Sequence, residues 1–177
     1  MNSKMTDLEN RIKALKLLLL DVDGVLTRGD IIYDDGGRET KVFNVKDGLG
    51  IRLLLQAGIE VAIVTGRRSP ALAHRCRNLG LEQVYEGVSD KSALLEQIAL
   101  SNDVGPREIA FVGDDLPDLA LMKKVGISFA VADAHGAVLG RADVVTSAKG
   151  GRGAVREVSE LILKSKGLWN NIIAQFE

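Results

Sequence analysis

Four short apolar runs, Leu15–Leu20, Val61–Val64, Ile109–Val112 and Ile127–Val131, recur along the chain with helix-length stretches between them. Runs of this length, rich in Leu, Ile and Val and almost free of polar residues, suit strands whose sheet is covered on both faces by helices. The rhythm predicts an α/β fold with a doubly wound, Rossmann-like, mostly parallel sheet. Val144 and Val145 add a short edge strand. Helix signals fall in the gaps. Asp47 is placed to cap a helix that Gly58 ends, Ser69 and Pro70 open a helix that Gly80 closes, and Ser89 or Asp90 opens one running to about Ser101. Val155, Val158, Leu161 and Ile162 give the stretch Gly153–Lys164 one apolar face. One segment breaks the rhythm. Ile31-Ile32-Tyr33 and Thr40-Lys41-Val42-Phe43 flank Asp34-Asp35-Gly36-Gly37, whose composition favours a tight turn. It reads as a β-hairpin inserted at about 29–43.

A chain of 177 residues suits one domain, here 1–177, and buries enough surface to fold without disulfides or a structural metal. The remaining composition excludes other classes. Aromatic residues make up 4% and the formal net charge is -1, so neither base-stacking platforms nor a phosphate-binding field points to nucleic acid. Leu17–Leu20 falls far short of the ~20 apolar residues of a membrane span. The polar start, Met1–Arg11 with Asp7 and Glu9, is unlike a signal peptide. A lone cysteine, Cys76, suits a reducing cytoplasm and a place in the core. The tail, about 165–177, carries Trp169, Ile172, Ile173 and Phe176 and is expected to dock on protein rather than membrane.

The first strand ends in Asp21-Val22-Asp23, the second runs into Thr65-Gly66-Arg67, and the third into Gly113-Asp114-Asp115. Ligands of open α/β sheets gather at the carboxyl ends of strands, so three polar clusters meet at one edge. Asp21, Asp23, Asp114 and Asp115 would repel one another unless a hard cation such as Mg²⁺ lay between them. With a hydroxyl from Thr65 and an ammonium from Lys91, such a site can neutralise phosphoryl oxygens, which points to phosphoryl transfer. His74 and His135 lack acidic partners at metal-ligand spacing. Gly150–Gly153 lacks the strand and helix of a phosphate-binding loop and reads as a flexible cover carrying Arg152.

These residues, in this order, resemble the four motifs of the haloacid dehalogenase superfamily: Asp21-Val22-Asp23-Gly24-Val25, Thr65, Lys91, and Gly113-Asp114-Asp115 with Asp118. The resemblance implies a phosphoric monoester hydrolase in which Asp21 is the nucleophile and Asp23 the general acid and base. It also implies that Mg²⁺ is held by the Asp21 and Asp114 carboxylates and the Asp23 backbone carbonyl, that Thr65 and Lys91 bind the phosphoryl group, and that Asp118 or Asp115 orients Lys91. The short gaps from Asp23 to Thr65 and from Lys91 to Asp114 leave no room for a large cap domain. Among capless members the chain is similar to those that hydrolyse 3-deoxy-D-manno-octulosonate 8-phosphate for lipopolysaccharide synthesis. Phe43-Asn44-Val45-Lys46-Asp47-Gly48, Ala130-Val131-Ala132-Asp133-Ala134 and Gly150-Gly151-Arg152-Gly153-Ala154-Val155-Arg156-Glu157 carry that likeness. It implies substrate contacts from Asp23, Asn44, Val45, Lys46, Asp47, Gly48, Arg52, Thr65, Gly66, Arg67, Arg75 and Lys91, with Arg75 meeting the sugar carboxylate. Lys46 departs from the arginine usual there. The likeness further implies a homotetramer whose hairpin and tail help cover a neighbour's site. Alternatives are a phosphatase for a nine-carbon sugar acid 9-phosphate, a phosphoaspartate signalling receiver, and a noncatalytic tetramerisation module. The acidic cluster after Lys91 argues against a receiver, and the intact Asp21 and Asp23 argue against the module.

Overall fold

The computed structural model describes residues 2–177, with side chains from Thr6 onward. The chain begins with α1 (Asn2–Ala14), β1 (Leu17–Leu20), the hairpin strands β2 (Ile32–Tyr33) and β3 (Glu39–Thr40), α2 (Val45–Gln56) and β4 (Glu60–Thr65). It continues with α3 (Pro70–Leu79), β5 (Val84–Glu86), a 3-10 turn (Lys91–Leu94), α4 (Leu95–Ser101), β6 (Ile109–Gly113), α5 (Leu119–Met122) and β7 (Ile127–Ala130). Then come α6 (Gly136–Leu139), β8 (Val144–Val145), α7 (Ala154–Ser165) and α8 (Trp169–Ile173).

Six strands form one parallel sheet in the order β5-β4-β1-β6-β7-β8. The four leucines of β1 are wholly buried at its centre. Leu20 pairs with Ile63 of β4 on one side and Val112 of β6 on the other, so all three strands run out at the same edge. The chain turns from β1 towards β4 and later returns to β6 on the opposite flank, and that change of direction opens a crevice beside Asp21. Helices flank the sheet: α2 packs on β4 and α7, α7 also meets α1 and α8, and α5 lies on β6 and β7.

The expected strands are present, with β1 starting at Leu17 rather than Leu15. Helix α1 and strand β5 were not foreseen, although Leu8, Ile12 and Leu15 stand at helical spacing and pack inward. One cap differs from expectation. Asn44, not Asp47, caps α2, its Oδ1 accepting from Lys46 N at 2.8 Å. The buried Asp47 carboxylate instead accepts from Gly153 N at 3.2 Å and Arg156 N at 2.8 Å, satisfying amides at the start of α7. At α3, Ser69 occupies the cap position without a side-chain capping bond, and Gly80 ends the helix in the left-handed conformation at φ 76°. Asp90 caps the 3-10 turn through Ser92 N and Ala93 N.

Strands β2 and β3 pair antiparallel through Ile32↔Thr40 and Tyr33↔Glu39. Asp34 Oδ1 closes the turn by accepting from Gly36 N and Arg38 N, both at 2.9 Å. The Gly150–Gly153 segment is pinned rather than a flexible cover. Gly150 N donates to Asp133 Oδ1 at 2.9 Å and Gly151 N to Val25 O at 2.8 Å. A Cβ on Gly150 would stand 1.6 Å from Gly24 O, so only glycine permits this approach. In the tail, Trp169 lies under the Arg156 and Lys164 cations and Ile172 is buried, whereas Phe176 faces solvent. No helix among the described residues is long and apolar enough to cross a membrane.

Candidate active site

Asp21 follows β1 directly, and its amide continues the sheet by donating to Val112 O at 3.1 Å. Its carboxylate meets a buried cation: Lys91 Nζ lies 2.8 Å from Asp21 Oδ1 and donates to Asp118 Oδ1 at 2.7 Å. Asp118, 1% exposed, is fixed in turn because its Oδ2 accepts from Asp114 N at 2.8 Å and Asp115 N at 3.3 Å. Of the two expected partners, Asp118 therefore holds Lys91. Asp115 caps the turn Leu116–Asp118 through Leu116 N.

The charges do not balance within this group. Burial pushes the Asp21 carboxyl up to about 6 against the attraction of Lys91. Asp114 is pushed further, to about 8, first by burial and then by Asp21, Asp118 and Asp115. Burial opposes the Lys91 ammonium, but Asp21 and Asp118 outweigh it and raise its pKa. Carboxylate oxygens of Asp21, Asp114 and Asp118 lie within 4.8 Å of one another. Asp118 has both oxygens committed, which leaves Asp21 and Asp114 with oxygen donors to offer. An all-oxygen donor set with surplus negative charge fits a hard divalent cation. Gly24, at φ 91°, makes the arrangement possible, since a Cβ there would stand 1.9 Å from Asp114 Oδ2.

A cleft of about 470 Å³ brings together Asp21, Asp23, Thr65, Gly66, Arg67, Lys91, Asp114, Asp115 and Asp118, as the sequence predicts. Thr65 is buried at the end of β4, and Arg67 Nη2 donates to Glu39 Oε1 at 2.6 Å while its Nε stands 3.5 Å from Asp23 Oδ2. The other expected substrate residues lie outside this cleft. Val45, Lys46 and Arg52 are exposed, while Asn44 and Asp47 serve as the caps described above. Arg75 Nη2 donates to Asn44 O at 3.2 Å, with the guanidinium 5.8 Å from the centre of the Phe43 ring. It crosses so close to Gly48 that a Cβ there would stand 2.1 Å from Nη2.

Lys41 joins the site without having been foreseen. Its side chain is 3% exposed, bonds Asp23 Oδ1 and lies 3.5 Å from Glu39 Oε1. A signal was present in Glu39-Thr40-Lys41-Val42-Phe43: extended chain puts residues 39, 41 and 43 on one side, and these three are the less exposed. His135 Nδ1 accepts from Ala137 N at 3.1 Å, and His74 pairs with Arg77 at 2.9 Å. Cys76 is buried, which pushes its thiol up to about 11.

Residues 81–157 match the family model of haloacid dehalogenase-like hydrolases, so the α/β sheet and its acidic edge define an enzyme of that class. Over 167 residues the chain is 50% identical to the 3-deoxy-D-manno-octulosonate 8-phosphate phosphatase KdsC of Salmonella typhi, covering 92% of this chain and 85% of that protein. The chain belongs to the 3-deoxy-D-manno-octulosonate 8-phosphate phosphatase family, a group of phosphoric monoester hydrolases. The crystal structure of the Yersinia pestis phosphatase superposes with a TM-score of 0.91 at 45% identity, covering 93% of this chain and 89% of that one. The Moraxella catarrhalis phosphatase, solved in complex with magnesium ion, phosphate ion and KDO, superposes with a TM-score of 0.95 at 39% identity and covers 98% and 99%.

Proposed function

We propose that the chain is a Mg²⁺-dependent phosphatase that hydrolyses 3-deoxy-D-manno-octulosonate 8-phosphate to 3-deoxy-D-manno-octulosonate and phosphate. The observation that carries the chemistry is the Lys91 ammonium fixed between Asp21 and Asp118, a preset cation beside a carboxylate. Asp21 attacks phosphorus, the bond to the sugar oxygen breaks, and Asp23 gives its proton to that oxygen. Asp23, now a carboxylate, takes a proton from the water that attacks the aspartyl phosphate, releasing phosphate and restoring Asp21. Mg²⁺, held by the Asp21 and Asp114 carboxylates and the Asp23 carbonyl, would supply charge neutralisation for the phosphoryl oxygens. Thr65, Gly66 and Lys91 bind the phosphoryl group, and Asp118 keeps Lys91 in place.

Arg67 contacts the sugar acid from within the cleft, and Arg75, Arg52 and the segment Asn44–Gly48, which lie outside it, contribute to substrate binding through the assembled copies. The names of the relatives and the ligands of the Moraxella structure support the choice of substrate. We read the enzyme as cytoplasmic and its product as a precursor of lipopolysaccharide. Ile31, Ile32, Tyr33 and Val42 turn apolar side chains outward from the hairpin, which supports a homotetramer in which this element meets a neighbour.

Phosphate release measured over eight- and nine-carbon sugar acid phosphates tests the reading. Turnover of the eight-carbon ester with Mg²⁺, its loss on chelation and its absence in Asp21→Asn are expected. Preference for the nine-carbon ester would overturn the substrate, and an active Asp21→Asn variant would overturn the nucleophile.

A further inference from the structure

Asp23, Lys41, Glu39 and Arg67 form a group of two anions and two cations. Lys41 Nζ bonds Asp23 Oδ1 and lies 3.5 Å from Glu39 Oε1. Arg67 Nη2 lies 2.6 Å from the same Glu39 oxygen, while its Nε is 3.5 Å from Asp23 Oδ2. Asp23 Oδ2 is buried and makes no hydrogen bond. The members differ in freedom. The Lys41 side chain is 3% exposed and that of Arg67 41% exposed, so Lys41, together with the buried Thr27 hydroxyl that donates to the same Oδ1 at 3.5 Å, is a fixed contact of the Asp23 carboxylate and Arg67 the displaceable one.

An aspartate with one oxygen held and the other unbonded is oriented for proton exchange at the unbonded atom once the displaceable Arg67 beside it gives way to substrate. Side-chain rotation, which would otherwise turn either oxygen towards the reacting ester, is suppressed by a buried ammonium. Glu39 offsets the charge of that ammonium, so what Lys41 supplies is chiefly orientation. The hairpin is thereby wired into the reaction: β3 carries Glu39, and the next inward position carries Lys41.

We propose that Lys41 is a positioning residue that acts through Asp23, holding Oδ1 so that Oδ2 delivers the proton to the departing sugar oxygen. The proposal rests on the assignment of Asp23 as general acid above. In the step, the proton leaves Asp23 Oδ2 as the phosphorus–oxygen bond of the ester breaks, and the alcohol departs neutral while Asp23 is left as carboxylate.

Leaving groups separate this role from simple support of the hairpin. An alkoxide needs the proton, whereas p-nitrophenolate leaves without one, and kcat/KM reports only the steps up to departure of the alcohol. In Lys41→Met, kcat/KM for the sugar acid phosphate is expected to fall about 10²-fold, at the lower end for a lost general acid, while that for p-nitrophenyl phosphate falls by less than about threefold. Lys41→Gln, which keeps a donor of similar length, should recover part of the loss. Adding Lys41→Met to Asp23→Asn should cost little more, because the two act as one unit. Equal losses on both esters, or full additivity with Asp23→Asn, would overturn the proposal. Should Lys41→Met fail to fold, Lys41→Gln carries the comparison: an alkyl-selective loss supports the role, and an unselective one sinks it. Asp23→Asn alone keeps the two claims apart. If it shows no selectivity for the alkyl ester, the general-acid assignment fails and the proposal with it; if it is selective and neither Lys41 variant is, only the proposal fails.

Discussion

At Asp114, burial and the neighbouring carboxylates raise the pKa from 3.8 to about 8. A carboxyl that binds its proton more tightly folded than unfolded makes metal-free stability fall as pH rises between those two values. A cation held by Asp114 and Asp21 replaces the proton and removes that loss. The rise in Tm on adding Mg²⁺ is therefore expected to be larger at about pH 8 than at about pH 5, with protons released on binding. Thermal unfolding with and without Mg²⁺ at both pH values checks this, and an equal shift would count against Asp114 as a ligand. Asp21, Thr65 and Asp114 were legible in the sequence because each follows an apolar run whose end fixes its place, and Lys91 through the resemblance of the four ordered motifs. Lys41 was not, because a lysine in a hairpin gains meaning only when the hairpin folds back over Asp23.

At the scale of elements, the segment after the hairpin does two structural jobs. Asn44 caps its own helix α2, and Asp47, one turn on, reaches across to the start of α7. Asp47→Ala would leave Gly153 N and Arg156 N without that acceptor, and a loss of about 1–3 kcal/mol in unfolding free energy is expected. Denaturant titration followed by circular dichroism measures it, and an unchanged midpoint would show that the cap contributes nothing. The sequence marked Asp47 correctly as a capping residue but for the wrong helix. Capping propensity is local chemistry, whereas the amides that use it were set by the packing of α2 on α7.

For the whole molecule, the hairpin presents two unlike sides. Glu39 and Lys41 turn towards Asp23, whereas Ile31, Ile32, Tyr33 and Val42 are exposed. An outward apolar face on so small an element is expected to meet another copy of the chain, which also shields an open site from water. Mass measurement in solution should give four copies, and Ile32→Lys with Val42→Lys should shift it to fewer. A native monomer would refute the shared cover.

What the sequence determined by itself was the alternation of buried strands and helices and the three polar clusters at the strand ends, because side-chain hydrophobicity and strand length are properties of the chain alone. The tertiary structure decided the rest. Asp118 rather than Asp115 holds Lys91, since a single turn aims its carboxylate inward. The Gly150–Gly153 segment became a packed seam against Gly24 and Val25 because backbone atoms distant in sequence meet there. Lys41 became a partner of Asp23 because a buried ammonium needs a counter-charge, and the folded hairpin brings Asp23 to it beside the local Glu39.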